Sequence, residues 1–110
     1  MASVVNTYAR AFADVVMANR LDSARTLAET QQISSLVRDS KELREVWENP
    51  SIPSEQKRAV LDAIVQRGGI SRPVRNFIAV LIDKGRIRWL SEIAARFAQE
   101  LNQRLPLSKS

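Results

Sequence analysis

Few residues in this chain of 110 are of a type that makes or breaks bonds. It has no histidine and no cysteine. That removes the commonest general base near neutral pH and the commonest metal ligand, and with them the thiol nucleophile and the zinc–thiolate site. Glu42 and Glu45 come nearest to a carboxylate pair. No matching ligand or base stands elsewhere in the sequence, so they read as solvated surface carboxylates. Gly68-Gly69 lacks the further glycines and the Lys-Ser/Thr of a phosphate-cradling loop, and there is no HExxH or EF-hand spacing. No catalytic residue, metal or cofactor is expected.

Charge and apolar surface remain as carriers of function. The formal net charge is +5, which suits nucleic acid, an anionic membrane surface or an acidic protein. The densest basic set is Arg72, Arg75, Lys84, Arg86 and Arg88, offset by Asp83. It suits phosphate or an acidic protein surface. Pro73 and the apolar run through Val80 leave few polar residues to read bases, so no specific nucleic-acid partner is expected.

Residues 4 to 18, VVNTYARAFADVVMA, have the opposite character. Val5, Tyr8, Ala9, Phe12, Ala13 and Val16 form one broad helical face. Val4, Ala11, Val15 and Ala18 extend the apolar character further round. Arg10 and Asp14, one turn apart, are placed to pair. Such a helix is either touched on two sides by its own domain or keeps one side for a partner. The second reading gives a groove for an amphipathic helix, with Tyr8, Ala11, Phe12 and Val15 facing Asn76, Phe77, Val80 and Leu81. Phe12 and Leu81 suit the core equally well. Tyr8 suits an interface, because its ring can bury while its hydroxyl stays near polar atoms.

The elements that must position these residues are all helical. Val74, Phe77, Ile78 and Leu81 repeat at helical spacing before Asp83-Lys84-Gly85-Arg86. Leu90, Ile93, Ala94, Phe97, Leu101 and Leu105 repeat after it. These two runs predict an antiparallel helix pair, with Gly85 closing the first in a left-handed conformation. In residues 22 to 38, Leu21, Ala24, Ala28 and Leu36 mark one side and Ile33 and Val37 another. Ser40 is placed to cap a short helix from Lys41 to Glu48, with Leu43 and Trp47 packed together as core. Asn49-Pro50-Ser51-Ile52-Pro53 interrupts the helices, and Ile52 anchors the turn. The next helix starts near Pro53 or Ser54, buries Val60, Leu61, Ala63 and Ile64, and closes at Gly68. Ser71 then caps the fifth helix, and the sixth runs from about Arg86 to Gln103.

Strand patterns are absent. The fold class is all-α, a compact six-helix bundle in one domain. No apolar run approaches membrane length and none resembles a signal peptide, so no transmembrane insertion is expected. A small basic nucleic-acid-binding domain and a self-associating helical module stay open as alternatives.

Several short pieces together carry a family likeness. They are Tyr8-Ala9-Arg10-Ala11-Phe12, Asn49-Pro50 followed by Lys57, Asn76-Phe77, Leu81, and Gly85-Arg86 with Leu90. In this order and spacing the chain resembles the N-terminal domain of the delta subunit of bacterial F-type ATP synthase, a relative of the mitochondrial oligomycin-sensitivity-conferring protein. The resemblance implies a six-helix bundle and a non-catalytic role in the peripheral stalk, or stator, that supports proton-driven ATP synthesis. It implies docking on the catalytic head through the N-terminal helix of an alpha subunit. Tyr8, Ala11 and Phe12 match the family's first-helix docking side, and Asn76, Phe77, Val80 and Leu81 its fifth-helix motif. It further implies residues 1–105 as the head-binding domain, 106–110 as a short tail, and attachment to the b-subunit stalk through a C-terminal domain absent from this chain. The implied place is the cytoplasmic face of the bacterial plasma membrane, as a peripheral subunit.

Overall fold

Capping residues set most of the helix boundaries. The computed structural model describes residues 3–105, and among these it has six α-helices and no strand. They are α1 (Val4–Ala18), α2 (Ser23–Asp39), α3 (Lys41–Glu48), α4 (Ser54–Gly68), α5 (Arg72–Asp83) and α6 (Leu90–Arg104), with a 3-10 turn at Ile87–Trp89 before α6. Side-chain oxygens of Ser3, Asp22 and Ser40 accept the backbone N–H of Asn6, Arg25 and Leu43 at 3.0, 3.0 and 3.1 Å. Each satisfies a donor that the first helical turn leaves open, a contribution of about 1 kcal/mol. Pro53 precedes α4 and Pro73 lies in the first turn of α5, where a missing N–H costs nothing. The tail expected over 106–110 lies outside the described residues.

Packing departs from the expected pairing of the last two helices. α6 packs chiefly on α1 and α2, and α5 chiefly on α4. The apolar repeats on α5 and α6 are real, but each meets a different neighbour. The two helices are joined through α1: Phe12 stacks on Phe97 of α6, centroids 4.6 Å apart, and on Phe77 of α5, centroids 4.0 Å apart. Trp47 is buried as expected, and its indole N–H donates to the Lys57 carbonyl at 3.1 Å, tying α3 to α4 across the proline-rich turn. Ile52 is half-buried in that turn.

Several local expectations are corrected. The buried face of α2 is Thr26, Glu29, Thr30, Ile33, Ser34 and Val37, whereas Ala24, Ala28 and Leu36 are exposed. The threonines can be buried because their hydroxyls bond backward, Thr26 to the Asp22 carbonyl and Thr30 to the Thr26 carbonyl, at 2.7 and 2.8 Å. On α4, Leu61 is buried while Ala63 is exposed. Gly69, not Gly68, takes the left-handed conformation after α4, with φ 66°, and Gly85 takes it after α5, with φ 69°. Asp14 pairs with Arg104 of α6 rather than with Arg10, because the long-range partner joins two packed helices. Leu105 falls beyond α6 and is exposed.

Candidate helix-docking groove

The apolar stripe on α1 is wider than its own domain can cover. Ala9, Phe12, Ala13 and Val16 are buried, and Ala11 and Val15, on the next strip of the helix, are exposed. The same holds on α5. Val74, Ile78, Ala79, Leu81 and Ile82 are buried, while Asn76 and Val80 face outward. Val15 and Val80 leave 41% and 44% of their surface exposed, an arrangement that costs free energy unless something covers it.

These two leftover strips face each other. Between them lies a cleft of about 510 Å³, lined by Tyr8, Ala11, Phe12, Val15 and Asn19 from α1 and by Arg72, Pro73, Asn76, Phe77 and Val80 from α5. Its floor is aromatic. Phe77 is half-buried and lies flat on Phe12, with ring planes 10° apart. Phe12 is almost wholly buried, so it serves the floor of the cleft and the core at once.

Both walls are held from behind. Arg104 pairs with Asp14 on α1. On the other wall, Arg75 of α5 donates to both carboxylate oxygens of Asp62 on α4, at 2.7 and 3.2 Å. The Arg75 hydrogen bonds hold the Asp62 carboxyl below the usual aspartate range. Arg58 pairs with Asp83 at 2.6 Å near the end of α5. At the start of α5 the Glu29 carboxylate of α2 accepts from Ser71, so Ser71 occupies the cap position without capping through its own hydroxyl. Each of these ion pairs joins a wall of the cleft to a neighbouring helix, a modest contribution for pairs this exposed.

Seven of the eight residues proposed from the sequence line this cleft: Tyr8, Ala11, Phe12, Val15, Asn76, Phe77 and Val80. Leu81 does not. It is fully buried, because it falls three and seven residues after Ile78 and Val74 and shares their inward face. Asn19, Arg72 and Pro73 also line the cleft and were not assigned to it from the sequence. Their signal was spacing: Asn19 continues the α1 stripe four residues beyond Val15, and Arg72 and Pro73 lie one turn before Asn76.

The basic residues do not merge into one face. Arg72 and Arg75 sit at the start of α5, and Arg75 is tied to Asp62. Arg86 and Arg88 lie beyond the end of the same helix, about 18 Å further along by the rise of an α-helix, where both guanidinium groups stand over Trp89. Among the described residues no group of three or more His, Cys, Asp or Glu could hold a metal ion. No helix among them is long and apolar enough to cross a membrane.

The sequence profile of the family described as "ATP synthase delta (OSCP) subunit" matches residues 4–107, nearly the whole chain. The chain belongs to this family. Among its relatives, a protein of Koribacter versatilis named ATP synthase subunit delta is 50% identical over 96% of this chain. One of the same name from Acidobacterium capsulatum is 37% identical over 98% of it. The chloroplastic subunit delta of Arabidopsis thaliana is 33% identical over 93% of it. The match covers 59%, 60% and 43% of those proteins' own lengths, so the chain spans less than two thirds of each of these relatives.

Proposed function

We propose that this chain is the head-binding part of a delta subunit of an F-type ATP synthase. It is a non-catalytic stator component, and it docks by receiving the N-terminal helix of an alpha subunit in the α1–α5 groove. The observation that carries the reading is the groove itself: an apolar trough with outward-facing Val15 and Val80 on its walls and stacked Phe12 and Phe77 as its floor. An amphipathic helix with apolar residues at i, i+3 or i+4, and i+7 has the complementary shape. Relatives named ATP synthase subunit delta support the complex in which that helix is to be sought.

On this reading the domain makes no covalent step. Its work is mechanical, transmitting a holding force from a peripheral stalk, with its b subunit, to the catalytic head. The subunit acts as a peripheral component on the cytoplasmic face of a bacterial membrane.

The test is titration of the purified chain with a peptide of the cognate alpha subunit's N-terminal helix, followed by backbone NMR shifts. Saturable shifts concentrated on residues 8–19 and 72–80 are expected. An absence of binding at high peptide concentration overturns the mode of attachment. Shifts clustered instead at Arg86, Arg88 and Trp89 move the interface to the basic end of α5.

A further inference from the structure

The groove carries information about the charge of its occupant as well as its shape. Its lining is apolar or neutral at every position but one, and that one is Arg72. Arg72 is exposed and has no ion-pair partner among the described residues, whereas Arg75, one turn on, is held by Asp62. Arg72 also lines a second, polar cavity with Asp62, Val65, Ile70 and Arg75. It therefore stands at the margin where the apolar trough opens into polar surface.

From Tyr8 to Asn19 the α1 wall extends about 16 Å, and from Arg72 to Val80 the α5 wall extends about 12 Å, at 1.5 Å per residue. A bound helix thus meets apolar wall for two to three turns and then reaches this cation. A basic side chain there would be repelled. A neutral one would leave the guanidinium to water, and a carboxylate would gain a charge-assisted hydrogen bond at a rim that still excludes part of the solvent.

We infer that the helix received by the groove carries an acidic side chain about one turn beyond its apolar stripe, and that Arg72 is the specificity-determining residue that reads it. This rests on the proposed docking of an alpha-subunit helix. It adds the register: a helix slid by a turn, or reversed end for end, loses the Arg72 contact while keeping much of the apolar one.

The experiment is a double-mutant cycle by calorimetry at low salt. It uses the chain and a synthetic peptide of the alpha subunit's N-terminal helix from the same organism, with each Asp or Glu of the peptide replaced in turn by its amide. Arg72→Gln is expected to weaken binding about threefold to fivefold, the upper part of the range of an exposed ion pair. One acid-to-amide peptide should lose a similar factor against the wild-type chain and almost nothing against Arg72→Gln. Arg72→Glu should regain affinity when that acid is replaced by Lys. Arg88→Gln, away from the groove, controls for net charge and should change binding less than twofold. The inference is overturned if no acidic position couples to Arg72, or if Arg72→Gln and Arg88→Gln act alike.

Tyr8→Asp separates the two readings. If the wild-type chain binds the peptide and Tyr8→Asp abolishes binding while Arg72 shows no coupling, the docking stands and only the charge register falls. If the wild-type chain does not bind, both fall. Thermal melts of the Arg72 variants should match wild type, because the side chain is exposed and makes no internal ion pair among the described residues.

Discussion

Glu29 and Ser71 stand 42 residues apart in sequence, and a single carboxylate oxygen of Glu29 accepts both the backbone N–H of Ser71, at 3.0 Å, and its hydroxyl, at 2.7 Å. The other oxygen accepts from Arg25, one turn back on α2, at 2.8 Å. A carboxylate from one helix thus supplies the negative cap at the start of another. Because α5 is one wall of the cleft, this contact links the packing of α2 to the shape of the candidate docking surface.

Glu29→Gln is expected to destabilise the fold by about 1–3 kcal/mol, since it takes the charge from a buried acceptor that serves Ser71 and Arg25. The pH dependence has a definite sign. Burial pushes the Glu29 carboxyl pKa upward, but the bonds from the Ser71 hydroxyl, the Ser71 N–H and Arg25 outweigh it and leave it below the ordinary glutamate value of 4.5. A depressed folded-state pKa means stability that is fully present above the unfolded value and is lost as pH falls through the folded one. Urea denaturation between pH 7 and pH 3 should therefore show the gap between wild type and Glu29→Gln narrowing below about pH 4.5. A constant gap would show that the carboxylate charge contributes nothing.

The adjacent glycines of α4 should respond oppositely to alanine. Gly69 and Gly85 have positive φ with open space around them, so a methyl group meets no atom and the cost lies in the backbone alone, about 1–2 kcal/mol. Gly68 closes the helix without positive φ. Its added Cβ would come within 2.8 Å of Gln32 Nε2, the end of a flexible side chain that can swing away. Gly68→Ala should be neutral or stabilising by up to about 1 kcal/mol, and Gly69→Ala and Gly85→Ala destabilising. Chemical denaturation of the three variants checks the order, and equal losses at Gly68 and Gly69 would contradict it.

What could be read from the sequence was whatever is set within one or two turns. The Val74–Ile78–Leu81 spacing, the Ser40 cap, the proline-rich break and the left-handed Gly85 are local decisions of sterics and hydrogen bonding. The bundle follows from them. The groove was legible because α1 and α5 each carry more apolar surface than one face can bury. Leu81 was offered to the groove as well as to the core, and it keeps the inward Val74–Ile78 face that its own spacing marks. The partners of helices were not legible. Glu29 and Ser71, or Asp14 and Arg104, are joined by tertiary packing, and nothing in local spacing announces it. The buried face of α2 was hidden for another reason: Thr26 and Thr30 look polar, yet their hydroxyls are satisfied by the helix backbone.

Tyr8→Asp should weaken binding of the helical peptide more than it weakens the fold. Tyr8 lines the groove and is only half-buried, so a charge there reaches water in the free chain. In the complex the same carboxylate would be covered by apolar surface and left without a partner. A loss of at least tenfold in peptide affinity is expected, equivalent to about 1.4 kcal/mol, with a much smaller change in the urea midpoint. Unchanged affinity in a folded variant would remove Tyr8 from the interface.

The three stacked phenylalanines offer the sharpest separation of core from groove. Phe97 is fully buried beneath Phe12, so Phe97→Ala should cost about 3–5 kcal/mol of stability by opening a cavity between α1 and α6. Phe77 is half-buried on the opposite side of Phe12, with its ring forming part of the groove floor. Phe77→Ala removes a ring that is already partly in water, so it should cost less stability than Phe97→Ala and more peptide affinity. Urea unfolding and peptide titration on both variants give four numbers. The expected pattern is crossed, with Phe97→Ala worse in the first measurement and Phe77→Ala, where still folded, worse in the second. If Phe77→Ala leaves affinity unchanged, the aromatic floor does not contribute to docking, and the outward-facing Val15 and Val80 must carry the contact instead.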